Sequence, residues 1–275
     1  MSRRPLRAFR AVQQAGAALL RQPLVPLSFS AAAGSLHLLS WALFVAGDAV
    51  DSGVLGALLH GAGMVLYVGS LVWLIEGLGQ LGLSLSAGQT VRWGELFRWL
   101  GPGSGALGFC LLNLLGGLAL IIFSGFVAWT LLMTLLPALS VLPVLLTTVA
   151  GLALLLSQLL APCLVLDAGL SPSRAFRRGW LLLERHWWGL LKLLTLLTLP
   201  LCGAVLVGLL TEALLPGFGV AGTGLALVVV LPWLATSVAM AYRDLEQERG
   251  AERAVERVVE RVSERMAQRL NRSDR

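Results

Sequence analysis

The chain has 275 residues, of which 57% are hydrophobic and 13% charged, and its formal net charge is +6. That charged fraction is about half of an ordinary soluble domain's and too small to cover a water-facing surface, so a soluble globule is excluded. Cys110, Cys163 and Cys202 lie far apart inside apolar runs, without a CxxC pair or a Cys/His cluster. No zinc or redox centre is expected from them, and they read as small core residues.

Residues 1–23 are basic and open the chain with an amphipathic pattern. Arg3, Arg7, Arg10, Gln14 and Arg21 form a polar stripe, with Phe9, Val12, Leu19 and Leu20 away from it. No compact apolar core leading to an A-x-A site follows directly, so no removed signal peptide is expected. The pattern predicts a helix lying in the membrane surface.

Residues 24–243 then hold six apolar segments, at about 24–46, 54–83, 105–133, 141–166, 190–210 and 220–242. Each is long enough to cross the hydrocarbon layer, which takes about 20 helical residues. Between Arg98 and Asp167 the chain carries no Asp, Glu, Lys or Arg, enough apolar sequence for two crossings and a tight turn. Runs such as LLLSQLLAPCLVL lack the alternation a membrane strand needs. The expected fold is therefore all-α, a polytopic membrane protein of six helices.

Further interfacial helices are expected near 92–100 and 172–188. In the second, Ser171 and Pro172 make a good helix start. Arg174, Arg177, Arg178, Glu184 and Arg185 fall on one arc, with Phe176, Trp180, Leu183 and Trp187 on the other side. Trp187, Trp188 and Gly189 are expected to turn the chain into the fifth crossing. The tetrapeptide RAFR occurs at 7–10 and 174–177, and ELFR at 95–98 is a weaker third copy, each before an odd-numbered crossing. The body thus reads as three modules of an interfacial helix and a two-crossing hairpin.

The tail, 244–275, carries eight acids and eight arginines, with Glu at 248, 252, 256, 260 and 264 and Arg one place after each. Pairs such as Arg253 with Glu256 favour a solvated helix over a polybasic tether. Its stripe of Val255, Val258, Val259, Val262, Met266 and Leu270 winds around the helix, and self-association or docking of a protein partner is the competing reading.

Arg and Lys are missing from the three turns that follow crossings one, three and five, while the opposite side receives every basic residue of the body. That asymmetry puts both termini in the cytoplasm. Thirteen of the 21 basic residues sit beside the bilayer and the tail balances itself, so the charge does not point to nucleic acid. Anionic lipid of the cytoplasmic leaflet is the expected partner of Arg174, Arg177, Arg178 and Arg185, with Trp180, Trp187 and Trp188 at headgroup depth.

No HExxH, GxSxG or Gly-rich phosphate loop is present, so no catalytic residue, metal or cofactor is expected. Glu76 is the ionisable group placed within a crossing; Gln80 lies one turn on, and His37, Asn113 and Gln158 add polar groups on other crossings. Together they would line a solute or proton path, or else join helices by hydrogen bonds.

The block 161–194, APCLVLDAGLSPSRAFRRGWLLLERHWWGLLKLL, resembles the glycerophosphoryl diester phosphodiesterase membrane-domain family and related bacterial six-helix proteins. Pro162, Asp167, Ala175, Arg177, Arg178, Trp180, Leu181 and Trp187 carry the likeness, and the closing AMAYRDLEQE is similar to that family's last crossing. Gly179 departs from it, standing where the family usually has serine. The resemblance implies a membrane body in the bacterial plasma (inner) membrane without the enzyme, since the phosphodiesterase is a separate TIM barrel of about 250 residues for which this chain has no room. A non-catalytic lipid-interacting or scaffold protein is the expected function; a small-solute or lipid transporter built around Glu76 is the alternative.

Overall fold

The computed structural model describes residues 6–50, 53–96 and 104–273. Arg3, Arg4 and Arg98 of the expected basic set lie outside these residues, as do 97–100 of the expected stretch 92–100. The side chains of the tail stripe from Val255 to Leu270, and of the pair Arg253 and Glu256, lie outside them as well.

Long runs of Leu, Ala and Val leave a backbone in hydrocarbon with no partner but itself, and helix is the form that satisfies every N–H and C=O within one segment. The helices are α1 (Ala8–Arg21), α2 (Leu24–Asp48), α3 (Gly53–Ser86), α4 (Trp93–Leu96), α5 (Ser104–Leu135), α6 (Val141–Gln158), α7 (Ala161–Leu166), α8 (Pro172–Leu214) and α9 (Gly219–Ser273). A single 3-10 turn, Pro137–Leu139, joins α5 to α6. The described residues contain no strand. Among the described residues, six helical stretches are long and apolar enough to span a membrane, formed by α2, α3, α5, α6 with α7, α8 and α9. The protein is an all-α, multi-pass membrane protein.

α9 is the hub. It packs on α8, α3, α1 and α2, while the α5–α6 hairpin stands at the edge and joins the bundle mainly through α6 against α8. The close approaches need missing side chains. A Cβ on Gly82 would lie 2.7 Å from the Ala235 carbonyl, and one on Gly77 would lie 2.1 Å from the Phe29 ring. Phe29 in turn meets Trp73 edge-on, with ring centroids 5.1 Å apart, in the favourable aromatic geometry.

Three departures from the expected segments have physical causes. The fourth crossing is broken, because Pro162 cannot donate to the helix; α6 ends at Gln158 and α7 restarts at Ala161. The interfacial helix and fifth crossing are one helix kinked at His186, whose φ of −127° and ψ of 26° leave the helical region, one residue before the expected Trp187 elbow. The sixth crossing runs without interruption into the tail as far as Ser273, so the tail continues α9 and is not a separate element. Cys110 and Cys163 are buried as expected, whereas Cys202 faces outward and is no core residue.

At the end of the bundle away from the termini, two acids fasten the turns. Glu212 accepts from the backbone N–H groups of Gly217 and Gly219 at 2.9 and 2.8 Å, closing the α8–α9 turn. Asp48 meets His60 Nε2 at 3.0 Å, and the other ring nitrogen lies 2.8 Å from the Gly56 carbonyl.

Candidate functional site

The two RAFR copies occupy equivalent places. Ala8 and Ala175 are buried, Phe9 and Phe176 are 70% and 39% exposed, and the flanking arginines Arg7, Arg10, Arg174 and Arg177 face outward. At 100° per residue the helices around them carry three stripes each. In α1 the buried stripe is Ala8, Ala11, Val12, Ala15 and Leu19; Phe9 and Leu20 stand on an exposed, mainly apolar face that also holds Gln13, and Arg7, Arg10 and Arg21 form a basic one. In the first half of α8, Ala175, Gly179, Leu182 and Leu183 are buried; Phe176 and Trp180 are exposed apolar; Arg174, Arg177 and Arg185 form a basic stripe with the exposed Leu181 among them. The stripes follow in the same rotational order in both helices, about 110° apart. A two-sided helix needs only core and water; a third, apolar and exposed stripe suits a helix with lipid beside it.

Not every arginine is available to a ligand. Arg178 donates to Glu246 of α9, and Arg243 of α9 donates to Asp167 at 3.5 Å. The Tyr242 hydroxyl, buried on α9, donates to the other Asp167 oxygen at 3.0 Å. Arg7 and Arg10 are electrostatic neighbours of Asp244. This junction of α1, α7, α8 and α9 was not anticipated from the sequence, although the acid-rich YRDLE at 242–246 was its visible signal. Trp180 and Trp188 are exposed, while Trp187 turns partly inward against the core.

The intramembrane polar residues are distributed over the fold, with Glu76 and Gln80 on α3, His37 on α2, Gln158 at the end of α6 and Asn113 on α5. Glu76, 3% exposed, accepts a hydrogen bond from Gln80 Nε2 at 3.1 Å. His37 is separate, with Nδ1 at 3.4 Å from Ser70 Oγ and its ring against Tyr67. Gln158 is buried at the α6–α7 break, where its Nε2 donates to Ser157 Oγ at 3.3 Å. Asn113 is exposed on α5. A groove of about 450 Å³ lies between α5 and α6, lined by Ile121, Gly125, Pro143 and Thr147, and none of the five polar candidates borders it. Among the described residues, no three His, Cys, Asp or Glu side chains gather closely enough to hold a metal ion.

No protein-family model matches this chain, and no match to it is found among curated proteins or among solved structures.

Proposed function

We propose that this is a non-catalytic protein of the bacterial plasma membrane, with both termini cytoplasmic, whose α1 and amino-terminal α8 hold anionic lipid in the cytoplasmic leaflet. The observation that carries the reading is the repeated three-striped helix, with an aromatic or leucine stripe lying beside an arginine stripe. Arg174 and Arg177 are the principal headgroup contacts, since Arg178 is engaged by Glu246. Trp180 and Trp188 set the depth, as amphipathic rings do at the headgroup level. The likeness of 161–194 to the glycerophosphoryl diester phosphodiesterase membrane domain supports a membrane body working without its own enzyme, as scaffold or accessory.

The test is lipid retention. The protein is reconstituted in bilayers of phosphatidylethanolamine and phosphatidylglycerol, extracted in nanodiscs, and its bound lipid identified by mass spectrometry. A basic side chain near an anionic surface contributes about 1 kcal/mol, so the double variant Arg174→Glu, Arg177→Glu should lose its excess of phosphatidylglycerol while keeping its melting temperature. Unchanged enrichment refutes the proposal.

A second reading rests on the burial of Glu76 against Gln80 on α3, a helix that packs on α7 of the broken crossing; buried carboxylates and broken helices are used where membrane proteins handle solutes. On that reading Glu76→Gln abolishes uptake or ligand-dependent stabilisation at normal expression; a fully active variant removes Glu76 from any path.

A further inference from the structure

α5 is the least covered crossing: 6% of its apolar window is buried within the protein, against 17% to 28% in the other five. One of its faces, followed at helical spacing, reads Phe109, Asn113, Gly116, Leu120, Ser124, Val127 and Leu131, and all seven residues are exposed. Two of them are unexplained by the fold of a single chain.

Asn113 carries a carboxamide with two donors and an acceptor. Among the described residues nothing hydrogen-bonds to it, and its stripe neighbours Phe109 and Leu120 are 56% and 68% exposed. With α5, about 48 Å long, centred on a hydrocarbon layer of about 30 Å, Asn113 falls inside that layer. An amide left unpaired there is costly.

Gly116 is the second feature of that face. Glycine inside a helix costs about 1 kcal/mol relative to alanine. Gly117 and Gly125 of the same helix repay this with contact, since a Cβ would meet Leu154 at 3.0 Å and Thr147 at 2.0 Å. A Cβ on Gly116 would meet nothing within 4 Å. A bare glycine one turn from an unpaired amide, on an exposed helix face, leaves room for the backbone of another helix.

We infer that α5 is the surface on which two copies of this chain pair in the membrane, with Asn113 facing Asn113 and Gly116 permitting the close approach. A carboxamide is self-complementary: across a two-fold axis each side chain donates one N–H to the other's oxygen and accepts one in return, so both amides are satisfied without any further residue. Ser124, whose hydroxyl donates to the Ile121 carbonyl within α5, adds a second small position two turns farther along the same face.

The test counts subunits by single-molecule photobleaching of the labelled full chain in phosphatidylethanolamine–phosphatidylglycerol vesicles over a range of protein-to-lipid ratios. The wild-type chain should pass from monomer to dimer as density rises. Asn113→Leu should weaken pairing about tenfold, the scale of a lost pair of interhelical hydrogen bonds, and Asn113→Gln should retain most of it. Gly116→Leu should weaken pairing although the monomer melts no lower than wild type. In a Cys202→Ser background, Leu120→Cys should form an intermolecular disulfide on mild oxidation, which reads the wild-type amide's own arrangement. A chain that stays monomeric at every density, that pairs equally well after both substitutions, or that pairs with an unlike protein in place of itself overturns the inference.

Discussion

Substituting Gly179 by alanine tests the packing of the interfacial half of α8. A Cβ built there would lie 2.0 Å from the Ser157 carbonyl oxygen and 3.1 Å from its carbon. Ordinary contact begins near 3.4 Å, so α8 and the end of α6 must move apart by about 1.4 Å. Both obstructing atoms are backbone, at the point where the fourth crossing breaks, and no side-chain rotation relieves them. Overpacking of this kind costs about 2 to 3 kcal/mol, which for a chain of this size corresponds to a melting shift of about 5–10 °C. Loss of intrinsic tryptophan fluorescence on heating in nanodiscs measures the shift. The local readout is Cys163 on the adjoining α7, which is 2% exposed and should become reactive towards a membrane-permeant maleimide as the junction opens. Gly203→Ala, on the same helix with open space around its Cβ, should melt no lower than wild type. Equal melting of Gly179→Ala and Gly203→Ala, with Cys163 still protected, would refute the close approach.

Tyr242→Phe removes the hydroxyl that holds Asp167, and should lower stability by about 1 kcal/mol, read as a shift in the same melting curve. In a double-mutant cycle Arg178→Ala and Glu246→Ala should show a coupling of about 1 kcal/mol, at the upper end for partly exposed pairs; additive effects would mean the two side chains do not interact. Trp233→Phe keeps an aromatic, though smaller, ring and deletes the N–H that donates to the Val12 carbonyl at 3.2 Å, so α1 should loosen from α9 and trypsin should cut sooner after Arg10 and Arg21.

The crossings were legible because hydrocarbon demands long apolar helices, and the RAFR segments were legible as helices because their charged and apolar residues recur at helical spacing. What each crossing turns towards its neighbours was not. In a soluble helix an apolar face marks the core, but in lipid the inward and outward faces are both apolar and the pattern carries no direction. Asn113 therefore looked like a partner for Glu76 while it stands on the outside of α5, and Cys202 looked buried while it is exposed. Pairings over long separations were hidden for a different reason. Arg178 and Glu246 are 68 residues apart, and any of several nearby arginines would have suited that carboxylate.

The ion pairs change what the charge asymmetry means. Successive residues on a helix point 100° apart, so Tyr242, Glu246 and Arg243 leave α9 within about 100° of one another while Asp244 leaves on the opposite side, all within little more than one turn. Glu246 reaches α8 through Arg178, Tyr242 and Arg243 reach Asp167 beside α7, and Asp244 is an electrostatic neighbour of Arg10 on α1 and of Arg7 just before it. On the helical wheel Asp244 lies about 160° from Glu246, as it must if α9 stands between α1 and α8. The turn works because α9 is the hub, and one short segment can fix three neighbours at a common level. Basic residues at this end thus divide into those that neutralise α9 and those, such as Arg174 and Arg177, that remain on the surface. Counting all of them as lipid contacts would overstate the electrostatic attraction of the protein for an anionic membrane.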